Sequence, residues 1–366
     1  MKLRAAATMV LLLTAPALAA NDPASSAETP HIDNTIGLEN MLPTPESVGN
    51  DASTISRDIF RRRDDAYGAF QRGFYLTALA LALPRAEKAD PAAQTLIAEI
   101  YAKGLGVAIN VARASSWYSL AAKNGDRMAA FELGLLYLNG DGVPKNRQKA
   151  AELFKQAADK NYAPAEYNLA LLHVEGTDAS PSLTEAAKLM KAAADAGLAE
   201  AQYDYGSMLM EGAGVAPNTA EGARQILLAA QQGLIEAEVD YATLLYLGKG
   251  VTRDVQGAAG WYERAANAGN PVAQNRYAKL LAVGEGVAPD LKQAAMWRAL
   301  ARRQGLNDPQ LDKLLAGLSQ TEINDAEELA RFWPSQPPTA EDVAAEEQKM
   351  RETAKSVSSS KLAGGN

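Results

Sequence analysis

The chain contains no cysteine among its 366 residues and only two histidines, His31 and His173. The missing thiols exclude disulfide bonds, cysteine nucleophiles, zinc–thiolate sites and a lipidated N-terminal cysteine. A Gly-Lys-Ser phosphate loop, an HExxH helix and a Gly-x-Ser-x-Gly turn are also missing. His173 occupies the repeat position of Tyr101 and Tyr137, which favours packing over ligation. We therefore predict no catalytic residue, no metal site and no cofactor, and we expect that the protein is not an enzyme.

Basic residues are outnumbered, because 36 Lys and Arg stand against 44 Asp and Glu and give a formal net charge of -8. A protein that binds duplex nucleic acid neutralises phosphates with basic side chains, so this balance argues against such a partner. Aromatic residues are only 6% of a chain that is 47% apolar, and alanine dominates the apolar fraction. After the N-terminus no apolar run reaches membrane length, so we expect no membrane span in the mature chain.

Residues 1–20 have the pattern of a secretory signal peptide. Lys2 and Arg4 precede an apolar run over 5–13, and Ala17-Leu18-Ala19 fits the small-x-small cleavage rule. We therefore predict export, with the bacterial periplasm as the expected compartment and an extracellular destination as the alternative. Residues 21–56 are rich in Pro, Ser, Asn and Asp, which is typical of a disordered lead-in.

The main feature of the sequence is an internal repeat with a constant period of 36 residues. The first series of repeated positions is glycine in every unit: Gly104, Gly140, Gly176, Gly212, Gly248 and Gly284. A second glycine comes two residues later in five units, and Asp178 replaces it in the third. The series that closes each unit has five glycines and one asparagine: Gly125, Asn161, Gly197, Gly233, Gly269 and Gly305.

Each unit is predicted to form two helices. In the second unit, apolar residues at helical spacing predict a first helix from near Met128 to near Asn139, and Gly140 ends it in a left-handed conformation. The second helix begins after a short polar residue that can accept from free backbone N–H groups. These N-cap residues are Asn110, Asn146, Ser182, Asn218, Asp254 and Asp290. Glu185 and Glu221, three residues after two of them, predict capping boxes.

The segment Ala129–Ala158, with Leu-Gly-Leu-Leu-Tyr-Leu-Asn-Gly-Asp-Gly-Val-Pro-Lys-Asn and two alanine pairs, resembles the Sel1-like repeat family, which is related to the tetratricopeptide repeat. The resemblance covers roughly Ala92 to Leu306. It implies an all-α fold, an α/α solenoid in which six 36-residue helix pairs form a right-handed superhelix. It also implies an adaptor role and a repeat that carries no chemistry of its own.

The flanks of the repeats are predicted to cover their exposed ends, as repeat arrays require. The resulting organisation is a signal peptide over 1–20, a lead-in over 21–56, an N-terminal helical cap over 57–90, six repeats over 91–306, a C-terminal helical cap over 307–334, and a tail over 335–366 that is disordered or a lone helix. Pro84 is expected to kink or end the second helix of the N-terminal cap.

The predicted partner site lies on the first helices. Their face opposite the core should be polar, yet it is apolar in repeats two to five. In a solenoid this face is concave, so we predict a binding stripe for a protein or peptide. Its apolar residues are Phe131, Leu135, Leu138, Tyr167, Leu171, Val174, Tyr203, Met210 and Tyr246. Acidic neighbours at Glu166, Asp204 and Asp240 favour a partner with basic residues.

Two alternatives to an open stripe and its function stay open. The stripe residues could instead pack against adjacent helices, as we expect for Trp117, Trp261 and Trp297. The leading functional hypothesis is a periplasmic scaffold or regulator in envelope or exopolysaccharide signalling, a role known in exported proteins that the chain resembles in export and repeat type. The alternatives are a peptidoglycan-binding or cell-wall-modifying protein, and an envelope assembly factor without a single ligand.

Overall fold

The structure, a computed structural model, describes residues 65–176 and 182–335. Within these residues the chain forms sixteen α-helices and no strand, which confirms the predicted all-α fold. The signal peptide, the lead-in, the tail beyond Ser335 and the third loop with Asp178 lie outside the described residues. None of the sixteen described helices combines the length and the apolar character needed to cross a bilayer.

The helices, in chain order, are α1 Asp65–Gln71, α2 Tyr75–Ala86, α3 Pro91–Lys103, α4 Val111–Lys123, α5 Arg127–Asn139, α6 Arg147–Ala158, α7 Ala163–Glu175, α8 Leu183–Asp195, α9 Ala199–Glu211, α10 Thr219–Gln231, α11 Ile235–Leu247, α12 Val255–Asn267, α13 Pro271–Val283, α14 Leu291–Arg303, α15 Pro309–Leu314 and α16 Gln320–Phe332. The odd-numbered helices from α3 to α13 are the first helices of the six repeats. The even-numbered helices from α4 to α14 are the second helices.

The chain divides into two compact units, one ending at Ala216 and one beginning at Pro217. The first unit contains α1 to α9 and the second contains α10 to α16. From α1 to α9 in the first unit and from α10 to α14 in the second, each helix packs against the next one along the chain, as α3 does on α4 and α13 on α14. This consecutive packing of short helix pairs is the predicted α-solenoid class.

The helix ends have the predicted chemistry. All six predicted N-cap side chains accept a hydrogen bond from the third backbone N–H of the second helix, as Asn110 does from Arg113 at 2.9 Å. The C-cap glycines of the first helices are left-handed, with φ of 66° at Gly104 and 87° at Gly140. The two predicted capping boxes are not formed, although their N-cap bonds are. The Glu185 carboxylate pairs with Lys188 instead. Glu221 likewise pairs with Arg224. A reciprocal capping box forms instead at Ser319 and Glu322.

The second loop glycine of a repeat lies against the start of the second helix in the preceding repeat. A Cβ atom at Gly142 would be 2.8 Å from the carbonyl carbon of Val111, and one at Gly214 would be 2.0 Å from the carbonyl oxygen of Leu183. Both glycines also have positive φ, 66° and 71°. Close approach and left-handed backbone therefore both require glycine at this position.

Helices also flank the repeats on both sides. Pro84 lies in the last turn of α2, which continues to Ala86, so the expected break there is not seen. At the other end, α16 packs against α14, and the Trp333 ring meets the Trp297 ring at 5.7 Å edge to face. Trp297 and Trp117 are buried, as their packing interpretation predicts.

Candidate functional site

Part of the predicted stripe is packed in the core of the first unit. Phe131 is only 4% exposed, and its ring meets the ring of Tyr162 at 5.4 Å. Leu138 and Tyr167 are also buried, and the Tyr167 hydroxyl donates to Asp204 on α9 at 3.0 Å. The expectation of an open stripe was wrong for these three residues. The physical reason is packing against adjacent elements: Phe131 contacts Phe154 on α6 as well as Tyr162, and the side chain of Tyr167 bridges α7 and α9.

The remaining stripe residues of the first unit keep partial access to solvent. They are Leu135, Leu171, Val174, Tyr203 and Met210, all of them half-buried. Leu171 and Val174 also pack against the buried residues of α7 to α9. The accessible apolar surface is thus narrower than predicted and runs along α5, α7 and α9.

In the second unit the predicted site residues are Tyr246 and Asp240, and both are half-buried. The Tyr246 hydroxyl donates to Glu285 at 2.9 Å, and the Arg253 guanidinium lies 5.6 Å from the centre of the Tyr246 ring. Arg253 also forms an ion pair with Glu285 at 2.9 Å. Tyr246 is therefore held by a local polar network.

In the sixth repeat, which lies outside the predicted stripe, two polar residues of α13 bond to Asp308, the N-cap residue of α15. The Asn275 amide donates to Asp308 at 2.7 Å, and the Lys279 ammonium lies 2.5 Å from the same carboxylate. Burial opposes ionisation of Asp308, but these bonds and a backbone N–H hold its pKa at about 2. This end of the face is therefore occupied by the protein itself.

Carboxylates with unusual environments collect on the first helices of the first unit. Burial raises the pKa of Asp204 to about 6, although the Tyr167 hydroxyl favours the charged form; the nearby Glu200 adds to the rise. Burial also raises the pKa of Glu132 on α5, where Lys103 acts in the opposite direction and Glu99 in the same one. These shifts leave an acidic face that gains by contact with a positively charged group.

Glu166 differs from Asp204 and Asp240, the other acidic neighbours of the predicted stripe, because it occupies another position of the repeat. It lies in the first turn of α7 and is 6% exposed. In the described part of the chain its carboxylate has neither a hydrogen bond nor an ion pair. Burial alone raises its pKa. Limited contact with water and the lack of a partner therefore make the charged form of Glu166 less favourable than that of an exposed glutamate.

The repeat position of Glu166 has a defined polar role that the sequence interpretation missed. In three other repeats it is glutamine, and each amide donates to a carbonyl in the last turn of the helix that precedes it in the chain. The bonds run from Gln94 to Ala86 at 2.9 Å, from Gln202 to Ala194 at 3.3 Å and from Gln274 to Ala266 at 3.3 Å. The signal was present as a 36-residue series of Gln and Glu in five of six units.

In the fifth repeat this position is Glu238, which is 2% exposed and has a partner. The Arg264 guanidinium, on the second helix of the same repeat, lies 2.7 Å from one carboxylate oxygen of Glu238. Arg264 also lies over the Trp261 ring at 5.3 Å. The site thus accepts either a neutral amide or a carboxylate that is matched by a guanidinium.

The first unit also contains a small recess and His173, the histidine for which the sequence predicts a packing role. A recess of about 140 Å³ is lined by residues of α1 to α3 and α5, including Thr95, Glu99 and Met128. His173 is half-buried on α7, and its backbone carbonyl accepts from the Ser182 N–H. Within residues 65–176 and 182–335 no three His, Asp or Glu side chains cluster as metal ligands would.

Comparison with known proteins gives a consistent result. The family model described as Sel1 repeat matches residues 91–126, 127–162, 163–198, 199–234, 235–270 and 271–306. A crystal structure of a Sel1 repeat protein from Oxalobacter formigenes is 29% identical, with a TM-score of 0.58 over 68% of this chain and all of the other. A protective antigen of uropathogenic Escherichia coli strains with an SLR fold is 23% identical, with a TM-score of 0.62; the match covers 78% of this chain and 63% of the antigen. Among curated proteins none matches the sequence.

Proposed function

This chain belongs to the Sel1 repeat family, and on that premise we propose that it is a periplasmic, non-catalytic scaffold or regulator that binds a protein partner on the first helices of its first unit. Sel1 repeat proteins generally mediate protein–protein interaction and are typically non-catalytic. The partner would be a peptide or a domain that acts in envelope signalling.

The observation that carries this proposal is the acidic and half-apolar surface of α5, α7 and α9. Leu135, Leu171 and Met210 offer partly accessible apolar side chains. Burial raises the pKa of Glu132 and Asp204 beside them, so a basic group from outside would lower the cost of their charge. A partner with apolar and basic residues fits both properties.

Binding is tested by chemical cross-linking in an envelope fraction, followed by affinity capture of the tagged full chain. The variant Leu171→Ser with Met210→Ser removes accessible apolar surface and spares the buried Phe131 and Tyr167. The control is Val283→Ser, because Val283 is an exposed apolar residue in the second unit. We expect one specific partner whose recovery falls about tenfold with the double variant and is unchanged with the control. Equal recovery by a folded double variant would contradict the proposal.

Export is a separate part of the proposal and is supported by the pattern of residues 1–20. Cell fractionation of the full chain and of a chain lacking residues 2–20 tests it. We expect a processed form in the periplasmic fraction only for the full chain. Co-sedimentation with purified sacculi, measured on the same preparations, separates a scaffold from a peptidoglycan-binding protein, which would sediment with the cell wall.

A further inference from the structure

The ion pair in the fifth repeat shows how a carboxylate is accommodated at the start of a first helix. Glu238 is almost fully buried there, and Arg264 reaches it from α12 with Nε 2.7 Å from the carboxylate. Half of the Arg264 side chain stays exposed, so the guanidinium approaches from the solvent side. This position therefore recognises a guanidinium that comes from outside the core.

The third repeat has the same carboxylate but lacks the arginine. Thirty-six-residue spacing places Ala192 on α8 where Arg264 stands on α12. The other neighbouring polar group is lost as well. In the first and sixth repeats an amide thirty residues on bonds the glutamine, from Asn124 to Gln94 at 2.8 Å and from Gln304 to Gln274 at 3.0 Å.

In the third repeat the residue thirty positions after Glu166 is Ala196, which has no polar side chain. Ala192 and Ala196 are both exposed, and neither supplies the single polar side chain that one of these two positions has in the first, fifth and sixth repeats. The result is a carboxylate without a polar neighbour from α8, on a residue that is only 6% exposed.

The electrostatic surroundings make this arrangement unfavourable for the protein alone. The first turn of α7 favours a negative charge, but the carbonyl end of the preceding helix, which accepts a bond from glutamine in other repeats, carries partial negative charge and opposes it. A carboxylate in place of the glutamine cannot donate to this carbonyl end and adds a full negative charge. Burial raises the pKa of Glu166, and no neighbouring cation offsets that effect among the described residues. A positively charged ligand would compensate it.

We propose that Glu166 is the binding site for an arginine side chain of the protein partner, which crosses the α8 edge at Ala192 and Ala196 and takes the place that Arg264 has beside Glu238. The inference rests on the proposed scaffold function and names one chemical group of the partner. Arginine is preferred to lysine because a planar guanidinium can bond a carboxylate through two N–H groups. A metal ion is disfavoured because, among the described residues, no three His, Asp or Glu side chains cluster as metal ligands would.

The site is tested with a capped Ala-Arg-Ala peptide as probe, titrated into the full chain at pH 7.5. Alanine methyl groups labelled with ¹³C report binding by NMR, and the resonances of Ala192 and Ala196 are followed. We expect saturable shifts of these two methyl groups. The same peptide with citrulline, which has the shape of arginine without its charge, should bind at least about tenfold more weakly.

Three variants test whether Glu166 is responsible for binding of the peptide. Glu166→Gln should abolish the shifts without loss of fold, since glutamine is the residue of three other repeats. Ala192→Arg should fill the site within the chain and also abolish peptide binding. Arg264→Ala should open the equivalent site in the fifth repeat, so the methyl group of Ala268 should now shift too.

The results separate this inference from the scaffold proposal. Shifts that persist in Glu166→Gln, or equal binding of the citrulline peptide, would overturn the arginine site. Capture of the same envelope partner at equal yield by wild type and Glu166→Gln would also overturn it while the scaffold role stands. Peptide binding at Glu166 together with failure to capture any envelope partner would contradict the scaffold and leave the arginine site supported.

Discussion

At the residue scale, the repeats with glutamine and those with glutamate at this position differ by one group, an amide NH₂ in place of a carboxylate oxygen. The amide nitrogen of Gln94 donates to the Ala86 carbonyl at 2.9 Å, whereas an ionised carboxylate at the same place has no hydrogen to give. A residue that is unfavourable for folding and yet buried is commonly part of a functional site. The cost of Glu166 to stability can therefore be measured directly.

We predict that Glu166→Gln stabilises the isolated protein at pH 7.5 by about 1 kcal/mol, because the amide gains a hydrogen bond and the buried charge is removed. The raised pKa of Glu166 means that the folded state holds its proton more tightly than the unfolded state. The loss of folding stability that Glu166 causes is thus smallest at acid pH. It grows as the pH rises above the pKa of an ordinary glutamate. Urea unfolding at pH 7.5 and pH 4 should show the gain shrinking at pH 4.

The reverse change serves as the matched control for that prediction. Gln202 is buried at the same repeat position in the same unit and donates to Ala194. Gln202→Glu should lower the free energy of unfolding at pH 7.5 by a similar amount. A stabilising Gln202→Glu, or a destabilising Glu166→Gln, would show that the carboxylate is not unfavourable at this position.

Asp204 gives a second prediction at this scale. Its pKa of about 6 lies above the ordinary aspartate value, so the unfolded state releases the proton first as pH rises. Stability is therefore lost between about pH 4 and pH 6 and is not regained at higher pH. Asp204→Asn keeps an oxygen for the Tyr167 hydroxyl and removes this loss. We expect a gain on the order of 2 kcal/mol at pH 7.5 that vanishes near pH 4.

Urea unfolding across pH 4 to 8 checks the Asp204 prediction. Asp159→Asn is a suitable control, because Asp159 is well exposed and pairs with Lys155 at the surface. Such a pair contributes little to stability, so this variant should match wild type at every pH. A pH-independent gain in Asp204→Asn would mean that burial of the charge is not the cause.

At the scale of the helix, prediction from sequence succeeded where the interaction is local. An N-cap such as Asn146 bonds the backbone N–H of Lys149, three residues away, so the residue type and its spacing are sufficient. Prediction of the stripe was less successful, because the exposure of Phe131 depends on the distance between α5 and the neighbouring helices. Helix periodicity gives the direction of a side chain but not what stands in front of it.

The polar role of the Glu166 position was not predicted from the sequence, for a related reason. Its meaning became visible only when the carbonyl acceptors of Gln94 and Gln202 were placed next to it by the fold. The sequence contained the periodic Gln and Glu residues, but their partners lie eight residues back, in another helix. No rule of helix propensity or amphipathicity connects such positions.

The glycines in the loops of the repeats lead to a third prediction. Gly214→Ala would place a Cβ atom 2.0 Å from the Leu183 carbonyl oxygen at a φ of 71°, so both a clash and backbone strain arise. Gly197 also has positive φ, 91°, but a Cβ atom there would meet nothing within 4 Å. We expect Gly197→Ala to cost about 1 kcal/mol through strain alone.

For Gly214→Ala we expect a loss of about 3 kcal/mol or more, because the loop must move away from α8. Thermal unfolding monitored by circular dichroism on both variants gives the comparison. Equal losses at the two glycines would show that left-handed backbone, and not the close approach to the preceding repeat, is what glycine provides at position 214.

At the scale of the whole molecule, stability in a repeat array comes from contacts between neighbours, so the last repeat depends on the helices C-terminal to it. In the second unit, Arg298 is 3% exposed and its guanidinium donates to Asp312 at 2.7 and 3.0 Å and to the Leu306 carbonyl at 2.7 Å. Trp297 stacks edge to face on Trp333. The helices after the repeats thus satisfy a buried charge and cover a buried ring.

We predict that a chain ending at Leu306 unfolds at least about 5 °C below the full chain, because Trp297 becomes exposed and Arg298 loses the Asp312 carboxylate. A chain ending at Ser335 keeps every one of these contacts and serves as the reference for the shorter chain. Asp312→Ala isolates the charge contribution and should fall between the two. Calorimetry on the three chains measures this, and a truncation at Leu306 that leaves the unfolding temperature unchanged would show that the sixth repeat is stable without a cap.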